Sequence, residues 1–148
     1  MDTITAFQID NQDRREDLFK PTRTPARWSS GRHPAVYASC AASTALLEFL
    51  VHQKLVPSTL CCGRLALRAD AVTMLDVLPE GWDDWPYRPD VQQVGDDWLA
   101  SRQALALRIP SAVAPASFNL LVNPRHSAYP ACVSQFVETF RADTRLRR

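Results

Sequence analysis

The sequence predicts an α+β fold: a single compact domain with a mixed or antiparallel sheet and flanking helices. Short apolar segments bounded by proline and polar residues indicate strands, and two longer segments with helical periodicity lie among them. The chain has 148 residues, of which 46% are hydrophobic and 22% are charged. That composition is typical of one domain that buries about two-thirds of its unfolded surface. We therefore treat residues 1–148 as one domain, in which residues 1–26 form an N-terminal segment that is partly loop.

The early part of the chain supplies few apolar side chains for a core. Residues 11–27 contain four arginines, one lysine and two prolines, which favours a loop or a loosely ordered arm. A short extended run at Pro34–Ser39 then predicts a strand. After it, we expect a helix from near Cys40 to about Lys54, with Ser39 or Ser43 as its cap. Large apolar side chains cover most of its circumference, so this helix should be largely buried.

Three polar residues interrupt the apolar pattern of that helix. Thr44, Glu48 and His52 are spaced four residues apart, so they lie in one line that faces a single cleft or a solvent-exposed edge. A carboxylate in so apolar a run needs an explanation, because an unpaired buried charge is costly. Function is the leading explanation for Glu48, and an exposed helix carboxylate is the structural alternative.

The second half of the chain alternates between strand and helix patterns around a proline- and tryptophan-rich connection. That connection, Leu78–Pro89, is too rich in proline for long regular structure. We expect the strand at Gly63–Arg68 to pair with the strand at Ala104–Ile109. The predicted elements are strands at Gly63–Arg68, Ala104–Ile109 and Phe118–Val122, a last strand within Val133–Phe140, and a helix at about Val91–Arg102.

Composition excludes several classes of function. The formal net charge is only +1, and no basic stretch is interleaved with aromatic residues, so we expect no direct contact with nucleic acid. No apolar run is long enough to cross a membrane, and the N-terminus does not resemble a signal peptide, so the expected location is the cytoplasm. The four cysteines lack metal-ligand spacing and are interpreted as free thiols, and no metal site is predicted. The four glycines form neither a Rossmann turn nor a Walker loop.

Several motifs, in order along the chain, resemble those of the RES family, which takes its name from Arg, Glu and Ser positions. The resemblance covers about four-fifths of the chain, from about Arg27 to residue 146. The motifs that carry it are Arg27-Trp28 with Gly31, Tyr37, Leu47-Glu48 with Val51-His52, Ile109-Pro110-Ser111-Ala112-Val113, Asn119, and Asn123-Pro124-Arg125-His126.

The resemblance implies a toxin of a bacterial type II toxin–antitoxin pair, with a fold similar to the ADP-ribosyltransferase toxins. Members of the family act on NAD by cleaving the bond between nicotinamide and ribose, with water or phosphate as acceptor, and protein ADP-ribosylation also occurs among them. NAD is thus the expected substrate, and no bound cofactor is implied. The implied partner resembles an Xre-type antitoxin that blocks the active site, and a homodimer is possible.

The chemistry of that reaction assigns roles to three residues. A carboxylate near the ribose stabilises an oxocarbenium-like state, which is the role expected of Glu48. An aromatic face can stack against the flat, cationic nicotinamide, which suits Tyr37. A guanidinium can bind the diphosphate with two parallel hydrogen bonds, which suits Arg27. Taken alone, the tyrosine is equally an ordinary half-buried core residue and the arginine a surface residue.

The remaining candidates bind substrate or support the site. Trp28, Ser29 and Ser111 are expected to contact the substrate, although Ser111 can instead orient Glu48 or serve as a turn residue. His52, Asn119 and Asn123 are supporting residues: the histidine can hydrogen-bond the carboxylate one helical turn away, and the asparagines suit architectural turns.

Two positions depart from the family pattern. Gln8 stands where many members have an arginine, and Ser29 stands where an asparagine or histidine is common. Both departures leave Arg27, Tyr37 and Glu48 intact, so activity is still expected, with an altered affinity or acceptor. Two other functions stay open at this point: transfer of ADP-ribose to a specific protein, and an inactive binding module that acts through its antitoxin.

Overall fold

The computed structural model describes residues 2–147 as seven strands, two α-helices and short 3₁₀ segments. No helix in this range is long and apolar enough to cross a membrane. The strands are β1 (Thr3–Asn11), β2 (Val36–Ser39), β3 (Thr59–Arg68), β4 (Val72–Met74), β5 (Ala106–Pro110), β6 (Phe118–Val122) and β7 (Val133–Arg141). The helices are α1 (Ala42–Leu50) and α2 (Pro89–Ser101), and the 3₁₀ segments are Gln12–Asp17, Ala69–Ala71, Tyr129–Ala131 and Thr144–Leu146.

All seven strands belong to one sheet, in the order β4-β5-β6-β2-β1-β3-β7. The pairings are antiparallel except between β4 and β5, which run parallel. The prediction of an α+β domain with a mixed sheet is therefore confirmed. The strands at β2, β6 and β7 and the helix α2 also lie close to where the sequence pattern puts them.

The N-terminal segment contributes more to the sheet than the sequence indicates. Residues Thr3–Asn11 form a strand between β2 and β3, in which Phe7 pairs with Ser39 on one side and Arg64 on the other. Only Ala6 of this strand is fully buried, so its apolar alternation is weak. From Gln12 onward the chain is a short 3₁₀ turn followed by irregular structure, as the composition predicts.

The predicted pairing of the strand at Gly63–Arg68 with the strand at Ala104–Ile109 is wrong. The former belongs to β3, which lies between β1 and β7, and the latter overlaps β5, which lies between β4 and β6. The short strand β4 was not predicted. Strand pairing depends on contacts between distant segments, and the local pattern that marks a strand does not say which neighbour it takes.

Helix α1 is shorter and more exposed than predicted. It spans Ala42–Leu50, and its cap position, Ala41, offers no side-chain hydrogen bond, so neither predicted serine caps it. Its small residues Thr44 and Ala45 are buried, whereas 42% of Leu47 is exposed. The helix packs on β1 and β2 through the small residues because they allow a close approach to the sheet. The predicted polar line therefore runs from a buried threonine to an exposed histidine.

The core has two parts, one on each face of the sheet. Successive strand residues point to opposite faces, so Leu120 and Val122 belong to one part and Leu121 to the other. The part that contains Leu121 also receives Trp28 from the irregular segment before β2, and Val91, Trp98 and Leu99 from α2. Helix α2 thus covers the face of the sheet against which the Arg27-Trp28 motif lies.

Gly95 allows α2 to approach that motif closely. A Cβ atom built on Gly95 would lie 1.6 Å from the carbonyl oxygen of Trp28 and 2.7 Å from its carbonyl carbon. Both are backbone atoms of a fully buried residue, so rotation of a side chain cannot relieve the clash.

We expect Gly95→Ala to lower the free energy of unfolding by about 3 kcal/mol or more, because the helix must move away from the Trp28 backbone. Helix propensity alone predicts the opposite sign, a gain of about 1 kcal/mol. Urea denaturation measures the difference, with Gln93→Ala on the exposed face of α2 as the control. Equal or higher stability of the Gly95 variant would contradict this packing.

Candidate active site

A cavity of about 820 Å³ opens beside Glu48 and the Arg27-Trp28 motif. Its volume lies in the range of small-molecule binding sites, and its walls are mainly apolar and aromatic with a few polar groups. The predicted site residues that line it are Arg27, Trp28, Tyr37, Glu48, His52 and Asn119. The cavity therefore brings together six of the nine residues that the sequence singled out.

Two more predicted residues lie behind the cavity wall and contact residues that line it. Ser111 is fully buried and reaches Glu48, and Ser29 is 2% exposed and reaches Tyr37. Asn123 lies apart from the cavity. Its amide donates to the carbonyl oxygen of Leu99 and its Oδ1 accepts from the backbone of Arg125, so it fixes a turn beside α2.

Glu48 is anchored through one of its two carboxylate oxygens. The hydroxyl of Ser111 donates to Oε1 at 2.7 Å, and the side-chain amide of Asn119 donates to the same atom at 3.1 Å. Within residues 2–147, Oε2 has no hydrogen-bond partner. The carboxylate is thus held at one end and free at the other, at the wall of the cavity.

Tyr37 is half-buried and hydrogen-bonded. Its hydroxyl lies 2.6 Å from the Oγ atom of Ser29. Burial raises the pKa of Tyr37 well above its ordinary value near 10, although the contacts with Ser29 and the Trp28 backbone act in the opposite direction. The phenol therefore stays neutral at physiological pH, and its ring supplies an uncharged aromatic surface to the cavity.

Arg27 connects the motif to the proline-rich connection. Its Nη1 atom donates to the carbonyl oxygens of Trp82 and Asp84, each at 2.8 Å. Its guanidinium carbon also lies 5.2 Å from the ring centroid of Tyr87, a cation–π geometry. The arginine lines the cavity and holds a segment of backbone at its edge.

The segment that carries Arg27 is fixed by helix α2. Both carboxylate oxygens of Asp96 accept hydrogen bonds from Ser30: Oδ1 from the backbone amide at 3.0 Å, and Oδ2 from the hydroxyl at 2.6 Å. Gln92, one turn earlier, donates to the carbonyl oxygen of Ala26 at 2.8 Å. Sequence analysis missed Asp96, although an aspartate between Val91 and Trp98 on a buried helix face is the kind of residue that requires a partner.

Trp28 is mainly a packing residue in this structure. Only 1% of its surface is exposed, and its ring stacks on Trp82 with centroids 6.4 Å apart. In contrast, Trp85 is 73% exposed, lines the cavity, and contacts Tyr87 edge to face. The connection therefore contributes two aromatic residues to the cavity wall.

The structure also places His52 and Gln8. His52 is exposed at the cavity wall, and within residues 2–147 the partners of Glu48 are Ser111 and Asn119 and not this histidine. The amide of Gln8 donates to the carbonyl oxygen of Tyr37, and its Oε1 accepts from the backbone of Phe19. Gln8 therefore holds the backbone behind Tyr37, which is a structural role.

Comparison with known proteins identifies the family. The family model described as the RES domain matches residues 5–145, so the similarity begins earlier than the motifs indicate. The chain is 35% identical over 129 residues to "Toxin Res" of Pseudomonas putida, with 84% of this chain and 87% of that protein covered. It is 33% identical over 127 residues to "Toxin Res" of Yersinia enterocolitica, covering 82% and 83%.

A more distant relative and a solved structure are also similar. The chain is 27% identical over 132 residues to the "Prs ADP-ribosylating toxin" of Sphingobium sp., covering 84% of this chain and 82% of that protein. A structure of the Mycobacterium tuberculosis MbcT-MbcA toxin–antitoxin complex matches with a TM-score of 0.67 at 15% identity, covering 97% of this chain and 86% of that one. The latter similarity confirms the fold.

We expect Tyr37→Phe to change how stability depends on alkaline pH. Because the pKa of Tyr37 is raised in the folded state, the folded protein keeps a proton that the unfolded chain loses near pH 10. Wild-type stability should therefore fall as the pH rises through about 10, and it should fall less steeply in the variant. Urea denaturation near neutral pH and at about pH 11 measures this difference.

Ser29→Ala is the matched control, because it removes the same hydrogen bond and keeps the phenol. Near neutral pH both variants should lose about 1 kcal/mol. Between neutral pH and about pH 11, Tyr37→Phe should lose less stability than the wild type. Ser29→Ala should lose at least as much as the wild type, because it keeps the phenol. Parallel pH curves for wild type and Tyr37→Phe would contradict the expected shift.

Proposed function

The chain belongs to the RES domain family, and we propose that it is the toxin of a bacterial toxin–antitoxin pair that degrades NAD by cleaving the bond between nicotinamide and ribose. The observation that carries the proposal is the half-anchored carboxylate of Glu48 at the wall of a cavity that also receives an arginine and aromatic rings. Action on the cellular NAD pool implies a cytoplasmic location.

Glu48 stabilises the transition state. Breaking the C–N bond leaves positive charge on the ribose, and a fixed carboxylate lowers the free energy of that state more than that of bound NAD. Ser111 and Asn119 hold Oε1, so Oε2 is available to a ribose hydroxyl or to the developing cation. Because the carboxylate is positioned before the substrate arrives, little reorganisation is needed during the reaction.

Tyr37 and Arg27 position the two ends of the reacting half of NAD. The neutral ring of Tyr37, half-buried at the cavity wall, stacks against nicotinamide and holds the leaving group in line with the ribose. Arg27 binds the diphosphate through Nε and Nη2, which have no hydrogen-bond partner within residues 2–147. Departing nicotinamide is neutral and is replaced on ribose by water or phosphate.

Transfer of ADP-ribose to a protein is the second candidate function. It is favoured by the similarity to the toxin of Sphingobium sp., whose name describes ADP-ribosylation. The same bond breaks in both reactions, so Arg27, Tyr37 and Glu48 serve either one. The two functions differ in the acceptor, and the fate of labelled ADP-ribose separates them.

The proposed partner is an Xre-type antitoxin that covers the cavity. The similarity to a toxin–antitoxin complex supports a protein partner. The cavity is bordered by apolar side chains that are open to solvent: Val51 is 56% exposed, Trp85 is 73% exposed and Val113 is 37% exposed. An exposed apolar rim around a cavity is typical of a surface that a partner covers.

We expect purified protein to consume NAD, and Glu48→Gln to reduce the rate by at least about a hundredfold, because the amide cannot stabilise the ribosyl cation as a carboxylate does. NAD concentration is followed over time with and without phosphate. Mass analysis then separates ADP-ribose, its phosphate ester and a modified protein.

Glu138→Gln on the exposed strand β7 is the matched control and should consume NAD at the wild-type rate. Circular dichroism checks that both variants fold. Full NAD consumption by Glu48→Gln would refute the mechanism. A folded wild-type protein that binds NAD without consuming it would favour an inactive binding module.

We expect Val51→Glu to weaken binding of the cognate antitoxin by about tenfold or more, because it places a charge on the apolar rim. Val77→Glu is the control, since Val77 is 82% exposed and does not line the cavity. Isothermal titration measures both affinities. If the two substitutions lower the affinity equally, or if neither lowers it, the antitoxin does not bind over the cavity.

A further inference from the structure

Two side chains of the sheet, Ser39 and Asn119, lead through successive hydrogen bonds to the carboxylate of Glu48. The hydroxyl of Ser39, on β2, donates to Oδ1 of Asn119 at 2.7 Å. The side-chain amide of Asn119, on β6, in turn donates to Oε1 of Glu48, on α1. Within residues 2–147 no hydrogen bond joins Ser39 directly to Glu48, so the hydrogen-bonded route from Ser39 to the carboxylate passes through Asn119.

The chemistry of Glu48 determines which group donates and which accepts in each of these two hydrogen bonds. An ionised carboxylate only accepts hydrogen bonds, so Asn119 must present its NH₂ group to Glu48. The carbonyl end of the same carboxamide then faces Ser39, and a carbonyl also only accepts. The hydroxyl of Ser39 must therefore donate, as the 2.7 Å contact between Oγ and Oδ1 allows.

The backbone holds this pair rigidly. Ser39 and Asn119 are direct partners in the antiparallel register of β2 and β6. Asn119 is also paired with Ile109 of β5, so its strand has a neighbour on both sides. Facing side chains on paired strands lie close together, and Ser39 is 4% exposed, so its hydroxyl has few alternative partners.

We propose that Ser39 is a positioning residue that fixes the orientation of the Asn119 carboxamide and, through it, the free oxygen of Glu48. The kinetic part of this proposal rests on the proposed cleavage of NAD. Without Ser39, the carboxamide oxygen loses the donor that holds it, so the carboxamide is free to rotate about its own bond. Rotation moves its NH₂ group out of line with Oε1 and weakens one of the two donors that anchor Glu48.

A set of four variants tests the proposal through NAD consumption: Ser39→Ala, Ser39→Thr, Asn119→Ala and the Ser39→Ala/Asn119→Ala double variant. Ser39→Ala should lower kcat by about tenfold and leave KM unchanged, because the carboxylate acts on the transition state. Ser39→Thr keeps the hydroxyl, and a β-branched residue suits a strand position, so this variant should restore kcat. Thermal unfolding checks that each variant folds.

The double variant distinguishes positioning from direct contact with the substrate. If Ser39 acts through Asn119, removing its hydroxyl has no further effect once the carboxamide is absent. The double variant should therefore match Asn119→Ala in kcat. A raised KM for Ser39→Ala, or additive losses in the double variant, would mean that Ser39 contacts the substrate and would overturn the proposal.

A second measurement does not depend on NAD. The side-chain amide signals of Asn119 in a ¹⁵N NMR spectrum are identified by their loss in Asn119→Ala. They should shift in Ser39→Ala and in Glu48→Gln, and stay near their wild-type positions in Ser39→Thr. Signals that Ser39→Ala leaves unmoved would overturn the proposal. If the wild type consumes no NAD but the expected shifts occur, the proposed function fails while the positioning role of Ser39 stands.

Discussion

The rest of the site depends on the hydrogen bonds between Ser30 and the buried carboxylate of Asp96. It is 3% exposed, and both of its oxygens accept hydrogen bonds from Ser30. A buried carboxylate without partners is costly, so the segment before β2 cannot leave helix α2 without exposing or orphaning that charge. Arg27, Trp28 and Ser29 precede Ser30 directly, and their positions follow from this attachment. The absence of a side chain at Gly95 is what allows the helix to lie close enough to make it.

Two carboxylates near the cavity show how structural and chemical roles differ. Asp96 uses both oxygens for hydrogen bonds to one residue, is 3% exposed and does not line the cavity. Glu48 uses only Oε1, with Ser111 and Asn119 as donors, and keeps Oε2 free at the cavity wall. Charge alone does not separate the two residues. Exposure to the cavity and an oxygen without a partner in the protein do, because a group that stabilises a transition state must be able to reach it.

Sequence alone predicts what depends on local pattern and misses what depends on distant partners. The helix predicted at about Val91–Arg102 overlaps most of α2, because its periodicity is a local signal, whereas its first turn at Pro89 was assigned to the connection. The predicted partner of β3 and the predicted burial of Leu47 are wrong, because each is decided by residues far away in the sequence. Family motifs located Glu48, but no motif marks Ser39 or Asp96 as parts of the site. Their hydrogen-bond partners lie 80 and 66 residues away.

Under the proposed function, Arg27 links substrate binding to the proline-rich connection Leu78–Pro89. Its Nη1 holds the carbonyl oxygens of Trp82 and Asp84, and its planar face lies over Tyr87. A lysine ammonium has three donors and could also reach two carbonyls, but it has no planar face to lie over a ring and no further donors held in fixed directions. The guanidinium has both, because its donors are fixed in one rigid plane. Under the proposed function, a diphosphate bound by the remaining donors meets an arginine whose position is already set by the connection, so any movement of the connection would move this arginine and the diphosphate together.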